Sequence, residues 1–246
     1  MVGLGVAVVA LVGLAAAVGV WRRRRAEAEV GAEAVREQGK TPPRQVEPRL
    51  ERLFTAVDAL NEQDPRVGED GAPQELVYGK RMTLVLDEFD ANAPDVVRVA
   101  CRAQHVARWR IPRSDFPEGR AGYLAWRKTL QKMHAQVAGE LMAQVGGFSD
   151  QEKEAVRHIL CKEDIKGDPL TQCLEDVAAL VFLQFYFDDF AAEQDRAKMV
   201  NILRKTWVKM SDRGHEAALK LTLPPSRLEL VKEALSGKSA SGGGDD

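Results

Sequence analysis

Apolar residues recur at intervals of three and four through most of this chain. Leu50, Leu53, Phe54, Val57 and Leu60 form one stripe of an amphipathic helix. Pro73 predicts the start of a second helix bearing Leu76, Met82, Val85, Leu86 and Phe89. Pro94 predicts a third, running to about Arg110 and stopped by Pro112. Tyr123, Trp126, Leu130, Met133, Val137, Leu141 and Val145 trace a long fourth, ended by Gly146 and Gly147. Ser149 with Glu152 has capping-box spacing and opens a fifth, with Val156, Ile159 and Leu160 on its apolar side. Asp168-Pro169 opens a sixth that runs into residues 177–187. That stretch is apolar nearly all round and predicts a buried central helix. Met199, Ile202, Leu203 and Trp207 mark another helix, and Leu228, Val231 and Leu235 a short last one after Pro224-Pro225. No turn dipeptide separates alternating runs, so hairpins are not expected. The predicted fold is all-α: a single compact multi-helix domain over residues 48–235.

The same pattern changes character before that domain. Val2 to Trp21 contains no charge and is followed directly by Arg22-Arg23-Arg24-Arg25. A helix of about 20 residues spans roughly 30 Å of hydrocarbon. Trp21 suits an interface, and the four arginines suit the cytoplasmic side. A cleaved signal peptide would carry its positive charge before the apolar core rather than after it. Residues 1–25 are therefore expected to be a single-pass transmembrane anchor with a basic stop, its main domain cytoplasmic and residues 2–21 in contact with the membrane. Residues 26–47 turn proline-rich and read as a linker. Residues 236–246 are mostly Gly, Ser and Asp, and are expected to be a disordered tail.

Composition narrows the function classes. The 246 residues carry 35 basic and 37 acidic side chains, a net charge of -2. Duplex nucleic acid does not fit that balance. Cys101, Cys161 and Cys173 form no C-x-x-C, which argues against a disulfide scaffold and a zinc ribbon. Charge is nevertheless sorted along the domain. Residues 102–132 hold eight basic side chains against Asp115 and Glu118, whereas residues 147–195 hold twelve acidic against four basic. The two surfaces could neutralise each other. Alternatively, Arg102, Arg108, Arg113 and Arg127 form an anion site in which Trp109, Phe116, Tyr123 and Trp126 could stack a base.

Four histidines occur, at 105, 134, 158 and 215. His134 lies on the apolar stripe of its helix, where it is either a core residue with one hydrogen-bonded nitrogen or a ligand. His105 sits off the apolar stripe of its helix, beside Arg98, Cys101 and Trp109. Asp176 interrupts the apolar run of the sixth helix. A carboxylate there requires a cation, a hydrogen-bond donor or a metal, because burying it bare costs several kcal/mol.

Arg102-Ala-Gln-His105-Val-Ala-Arg108-Trp109-Arg-Ile-Pro112-Arg113, then Arg120-Ala-Gly122-Tyr123-Leu-Ala-Trp126-Arg127, then Leu174-Glu175-Asp176-Val177 resemble the domain-of-unknown-function 4202 family. The likeness extends to Tyr78-Gly-Lys-Arg81-Met82 and Ile202 to Trp207, and covers roughly residues 50–235. A second resemblance is one of layout. A helix with a central histidine, a later helix with another, and an aspartate on a following helix are similar to the HD-domain metal phosphohydrolases. That resemblance implies an HD-like arrangement. His105, His134 and Asp176 would bind a divalent metal, with Asp176 in the catalytic role. The sequence departs from it at Val106, where the paired aspartate would stand, and at Tyr78, near the place of the first ligand. Lys209-Met210-Ser211 imitates the Lys-Met-Ser loop of class I aminoacyl-tRNA synthetases, but their His-x-Gly-His partner is missing.

The chain is thus expected to be one of two things. One is a membrane-anchored, metal-dependent phosphohydrolase acting on a nucleotide or other phosphate ester. The other is a non-catalytic helical module that binds an anion, a nucleotide or a partner protein at a membrane.

Overall fold

In a computed structural model, the chain is described over residues 47–235, apart from 69, 70, 193 and 224. The expected anchor, the linker up to residue 46 and the tail lie outside the described residues. Among the described residues, no helix is long and apolar enough to cross a membrane.

Among the described residues the apolar stripes become ten α-helices: α1 (Pro48–Asn61), α2 (Gln74–Phe89), α3 (Asp95–Ala103), α4 (Gly119–Val145), α5 (Asp150–Leu160), α6 (Pro169–Val181), α7 (Phe187–Ala192), α8 (Arg196–Lys209), α9 (Asp212–Leu219) and α10 (Pro225–Leu235). Their ends are set chemically. Ser149 and Glu152 exchange both capping-box hydrogen bonds at the start of α5. Asp168 accepts from the Leu170 and Thr171 backbone N–H groups to open α6. Gly146, at φ 74°, ends α4. One isolated bridge, between Val67 and Pro73, is the only β pairing among the described residues.

The core is shared by α3 and α6. Val97, Ala100, Cys101 and Ala103 on α3 are fully buried, as are Leu174, Val177 and Val181 on α6. Helix α3 packs against α1, α2, α4, α5 and α6, which its small side chains permit. Each fully buried Leu or Val contributes about 1.5–3 kcal/mol of transfer free energy. Between α6 and α7 the chain takes one wide π-helical turn, Phe182–Tyr186.

Two features differ from the sequence expectation. The third helix stops at Ala103, well short of Arg110. Residues 104–107 form turns, Ala107 adopts a left-handed φ of 55°, and Arg108–Arg110 make a single 3-10 turn. The cause is tertiary. Asn61, buried at the end of α1, accepts the Ala107 N–H with its Oδ1 at 3.0 Å, and His134 on α4 donates to the Val106 carbonyl at 2.8 Å. Backbone groups that a continuing helix would have paired are satisfied by side chains instead. The second difference is α9, an additional short helix that Ser211 caps by accepting the Gly214 N–H.

Candidate functional site

The turn after α3 presents His105 and Arg108 to the first turns of α2. Gly79 lets α2 and α3 approach closely, since a Cβ there would lie 3.0 Å from the Arg102 carbonyl oxygen. Asn61 ties the two together from the other side by donating to the Glu75 carbonyl at 3.3 Å. As a result Tyr78 stacks on His105, ring centroids 3.9 Å apart and planes 14° from parallel. His134 completes the aromatic group, its ring centroid 5.9 Å from that of His105.

Proton positions are set by the surroundings. Burial, reinforced by the charges of Arg108 and Arg127, pushes His105 well below its ordinary pKa, so the ring is neutral. Its Nδ1 lies 3.1 Å from Glu75 Oε2 and its Nε2 lies 3.2 Å from Arg108 Nη1. Only one tautomer fits both neighbours. Nδ1–H donates to the carboxylate, and the Nε2 lone pair accepts from the guanidinium. Glu75 is itself buried, accepts from Arg66 Nη2 at 2.7 Å and lies 3.7 Å from Arg108 Nε. Burial raises its pKa, while Arg108 and Arg66 oppose that shift.

Basic groups gather on the other side of the histidine. The Arg108 guanidinium lies over the Trp126 ring, 4.8 Å from its centroid. Arg127, half-buried one residue further along α4, makes no hydrogen bond or ion pair with any other described residue. Its charge is nonetheless felt at His105, Arg108 and Glu175. Lys162 projects from a left-handed backbone position, φ 54°, just after α5 and pairs tightly with Glu175 on α6. Burial pushes Glu175 up, but Lys162 outweighs it and holds that carboxyl low. Arg81, one turn beyond Tyr78, rests on Phe185 and Tyr186 of the wide turn at 4.7 and 5.1 Å.

The sequence candidates are therefore divided. His105, His134, Arg108 and Arg127 come together. Arg102 does not join them; its guanidinium is paired with Asp58 at 2.9 and 2.6 Å and donates to Thr83. Arg113 donates to the Phe116 carbonyl at 2.8 Å within its own loop. Tyr123 is 45% exposed, and Trp109 is half-buried beneath Arg110. Asp176 is met by hydrogen-bond donors rather than by an arginine. Its Oδ1 accepts from the Ser211 N–H and Gln172 Nε2, and its Oδ2 accepts from Ser211 Oγ. The serine of the synthetase-like string is thus a helix cap held by a buried carboxylate.

The side chains expected to bind a divalent metal meet protein partners. Both ring nitrogens of His105 are engaged, His134 Nδ1 is committed to Val106, and Asp176 is occupied by Ser211 and Gln172. Among the described residues, no group of three or more His, Cys, Asp or Glu side chains is placed to hold a metal ion. His134 behaves as a core histidine with one nitrogen bonded, while its buried Nε2 has no partner. Burial and the neighbouring His105 take its pKa down to about 3.

The family model described as a domain of unknown function, DUF4202, matches residues 51–231. The chain belongs to this family. No curated protein and no solved structure matches it. The DUF4202 match spans every element that builds the cluster, from Arg66 through Lys162 to Glu175. Of these, Arg66, Glu75 and Lys162 were not marked by the sequence. Each is an ordinary charged residue on an amphipathic helix or loop, and only the fold turns it inward.

Proposed function

We propose that this DUF4202 domain binds a phosphate-bearing small molecule beside His105. Arg108 and Arg127 would bind the phosphate, Lys162 would add positive potential, and neutral His105 would supply an acid–base group. Arg127 carries this reading: a half-buried guanidinium with no hydrogen bond or ion pair to an anionic partner among the described residues, whose charge is felt at a second arginine, Arg108. A half-buried cation without a counter-ion is less well solvated than an exposed one, and an anionic ligand would offset that cost. Guanidinium forks match phosphate oxygens, and the nearby Trp126 and Tyr186 rings favour a ligand with an apolar or aromatic portion. The phosphate-directed part of the HD-like expectation is kept, without its metal. The apolar run at residues 2–21 and Arg22 to Arg25 support placing this activity at a membrane surface.

Calorimetry and thermal shift of the full chain test the reading with inorganic phosphate, AMP and ATP, using chloride at matched ionic strength as control. At a ligand concentration of 100 Kd the folded state gains about 2.7 kcal/mol. For a domain of this size that raises Tm by roughly 5–10 °C. Arg108→Ala and Arg127→Ala should each weaken binding at least about tenfold, by analogy with the strength of charge-assisted hydrogen bonds. Arg113→Ala should not. A response no larger than that to chloride, or one unaffected by Arg127→Ala, would overturn the proposal.

A further inference from the structure

We propose that His105 Nε2 is a phosphoryl acceptor, so that the site forms a covalent phosphohistidine with a phosphorylated ligand. The inference rests on the phosphate-binding reading above and adds the identity of the attacking atom.

Comparison of the four histidines singles out this one. A nitrogen that attacks phosphorus needs a lone pair that its hydrogen-bond donor can release to the incoming phosphoryl group, a fixed tautomer, and cations rather than anions where the phosphoryl oxygens will sit. His158 fails because both its nitrogens face carboxylates, Nδ1 at 3.1 Å from Glu163 and Nε2 at 3.6 Å from Asp168. His215 fails because its Nε2 donates to the Trp207 carbonyl at 2.8 Å while the ring is stacked flat on Trp207. His134 is only 4% exposed. His105 alone has a carboxylate on Nδ1 and a guanidinium on Nε2, with 22% of its side chain reachable. Tyr78 covers one ring face and limits rotation of the imidazole.

The step balances without a further reactant. The Nε2 lone pair forms the N–P bond as the P–O bond of the phosphorylated donor breaks, and the departing oxygen keeps the bonding electrons. The ring acquires positive charge, which the Glu75 carboxylate faces through the retained Nδ1–H. Arg108 exchanges its hydrogen bond with Nε2 for one with a phosphoryl oxygen, while Arg127 neutralises another. Glu75 is a positioning residue in this scheme, since it acts through the ring and does not reach the phosphorus.

Potassium phosphoramidate is a suitable probe because it phosphorylates histidine without any need to know the natural donor. In its case the P–N bond breaks and ammonia leaves. Incubated with the full chain, it should add a single acid-labile phosphoryl group, seen by intact mass and assigned to Nε2 of His105 by phosphorus NMR. His105→Gln should abolish the label. Arg108→Ala and Arg127→Ala should slow it by at least about tenfold. Glu75→Ala should slow it too, and Glu75→Gln, which still accepts from Nδ1–H, should restore much of the rate. A structural role alone would not produce that rescue. Labelling that is absent, spread over His158 and His215, or equally fast at His105 in the urea-unfolded chain would overturn the inference. A thermal shift with inorganic phosphate on the same samples separates the two readings. Phosphate binding without a His105 label defeats only the covalent step. Absence of both defeats the anion site as well.

Discussion

Replacing Asp176 discriminates sharply between a structural joint and a reactive carboxylate. Its side chain is 2% exposed, and it accepts from the Ser211 N–H at 2.8 Å, Ser211 Oγ at 2.5 Å and Gln172 Nε2 at 3.1 Å. Ser211 Oγ in turn accepts the Gly214 N–H at 3.1 Å, so one carboxylate fixes the start of α9 on α6. Hydrogen bonds to a charged group contribute about 1.5–3 kcal/mol each, partly offset here by the cost of burying the charge. Asp176→Ala should therefore cost about 3 kcal/mol and lower Tm by about 6–12 °C in a domain of this size. Asp176→Asn keeps an acceptor for the backbone N–H and should cost only about 1 kcal/mol. Gly214 supplies an internal check. A Cβ there would lie 2.5 Å from Asp176 Oδ1 and 2.7 Å from its Cγ, so Gly214→Ala must push the carboxylate aside. Once Asp176 is alanine that collision is gone, and the double substitution should cost at least about 1 kcal/mol less than the sum of the singles. Calorimetric melting of the full chain and the four variants measures all of this. A Tm for Asp176→Ala within about 2 °C of the parent, or strict additivity with Gly214→Ala, would refute the joint.

Three further outcomes are expected. Arg102→Ala breaks a pair with Asp58 that is only 11% and 18% exposed, and should lower stability by about 2 kcal/mol while leaving the phosphate Kd unchanged; a loss of affinity would return Arg102 to the site. Gly122→Ala would set a Cβ 1.8 Å from the Pro117 carbonyl oxygen, so the loop before α4 must move; a destabilisation of about 1–3 kcal/mol is expected in a urea melt, and a neutral result would mean the loop yields freely. His134 has its pKa taken down to about 3 from an ordinary 6.5. Between those values the unfolded chain binds a proton that the folded chain refuses, so His134's contribution is fully present above pH 6.5 and declines by about 1.4 kcal/mol per unit below it. Urea unfolding at several pH values should show that slope reduced by one proton in His134→Gln, and an unchanged slope would contradict the assignment.

Most helices were legible because their ends carry chemistry that acts locally. The Ser149–Glu152 capping box, the Asp168-Pro169 start and the Gly146-Gly147 stop all form where the sequence places them. The third helix stops short of its apolar pattern for the opposite reason. Nothing in Gln104 to Ala107 announces a turn, and an alanine in left-handed conformation has no signature; what ends the helix is Asn61 and His134, brought in from α1 and α4. Helix α9 has little signature in the sequence because Gly214 and His215 interrupt its short apolar period, leaving Ser211 as the local signal. At the candidate site, His105, Arg108 and Arg127 could be marked from charge and position. Their organiser, Glu75, could not, because its role exists only once Gly79 brings α2 against α3. Asp176 was conspicuous as an acid in an apolar run, yet whether a cation, a metal or a backbone amide would meet it depended on where Ser211 lands.

The wide turn at Phe182–Tyr186 gives the long helical path from Pro169 to Ala192 a spare residue. Such a turn accommodates an insertion without rotating the helix beyond it, whereas an insertion into an ordinary α-helix turns every later side chain by about 100°. Deleting Gln184 should consequently leave α6 and α7 seated as before while drawing Phe185 and Tyr186 back from the Arg81 guanidinium. Chain length at this one point thus becomes a dial for reshaping the aromatic wall beneath Arg81 independently of the core.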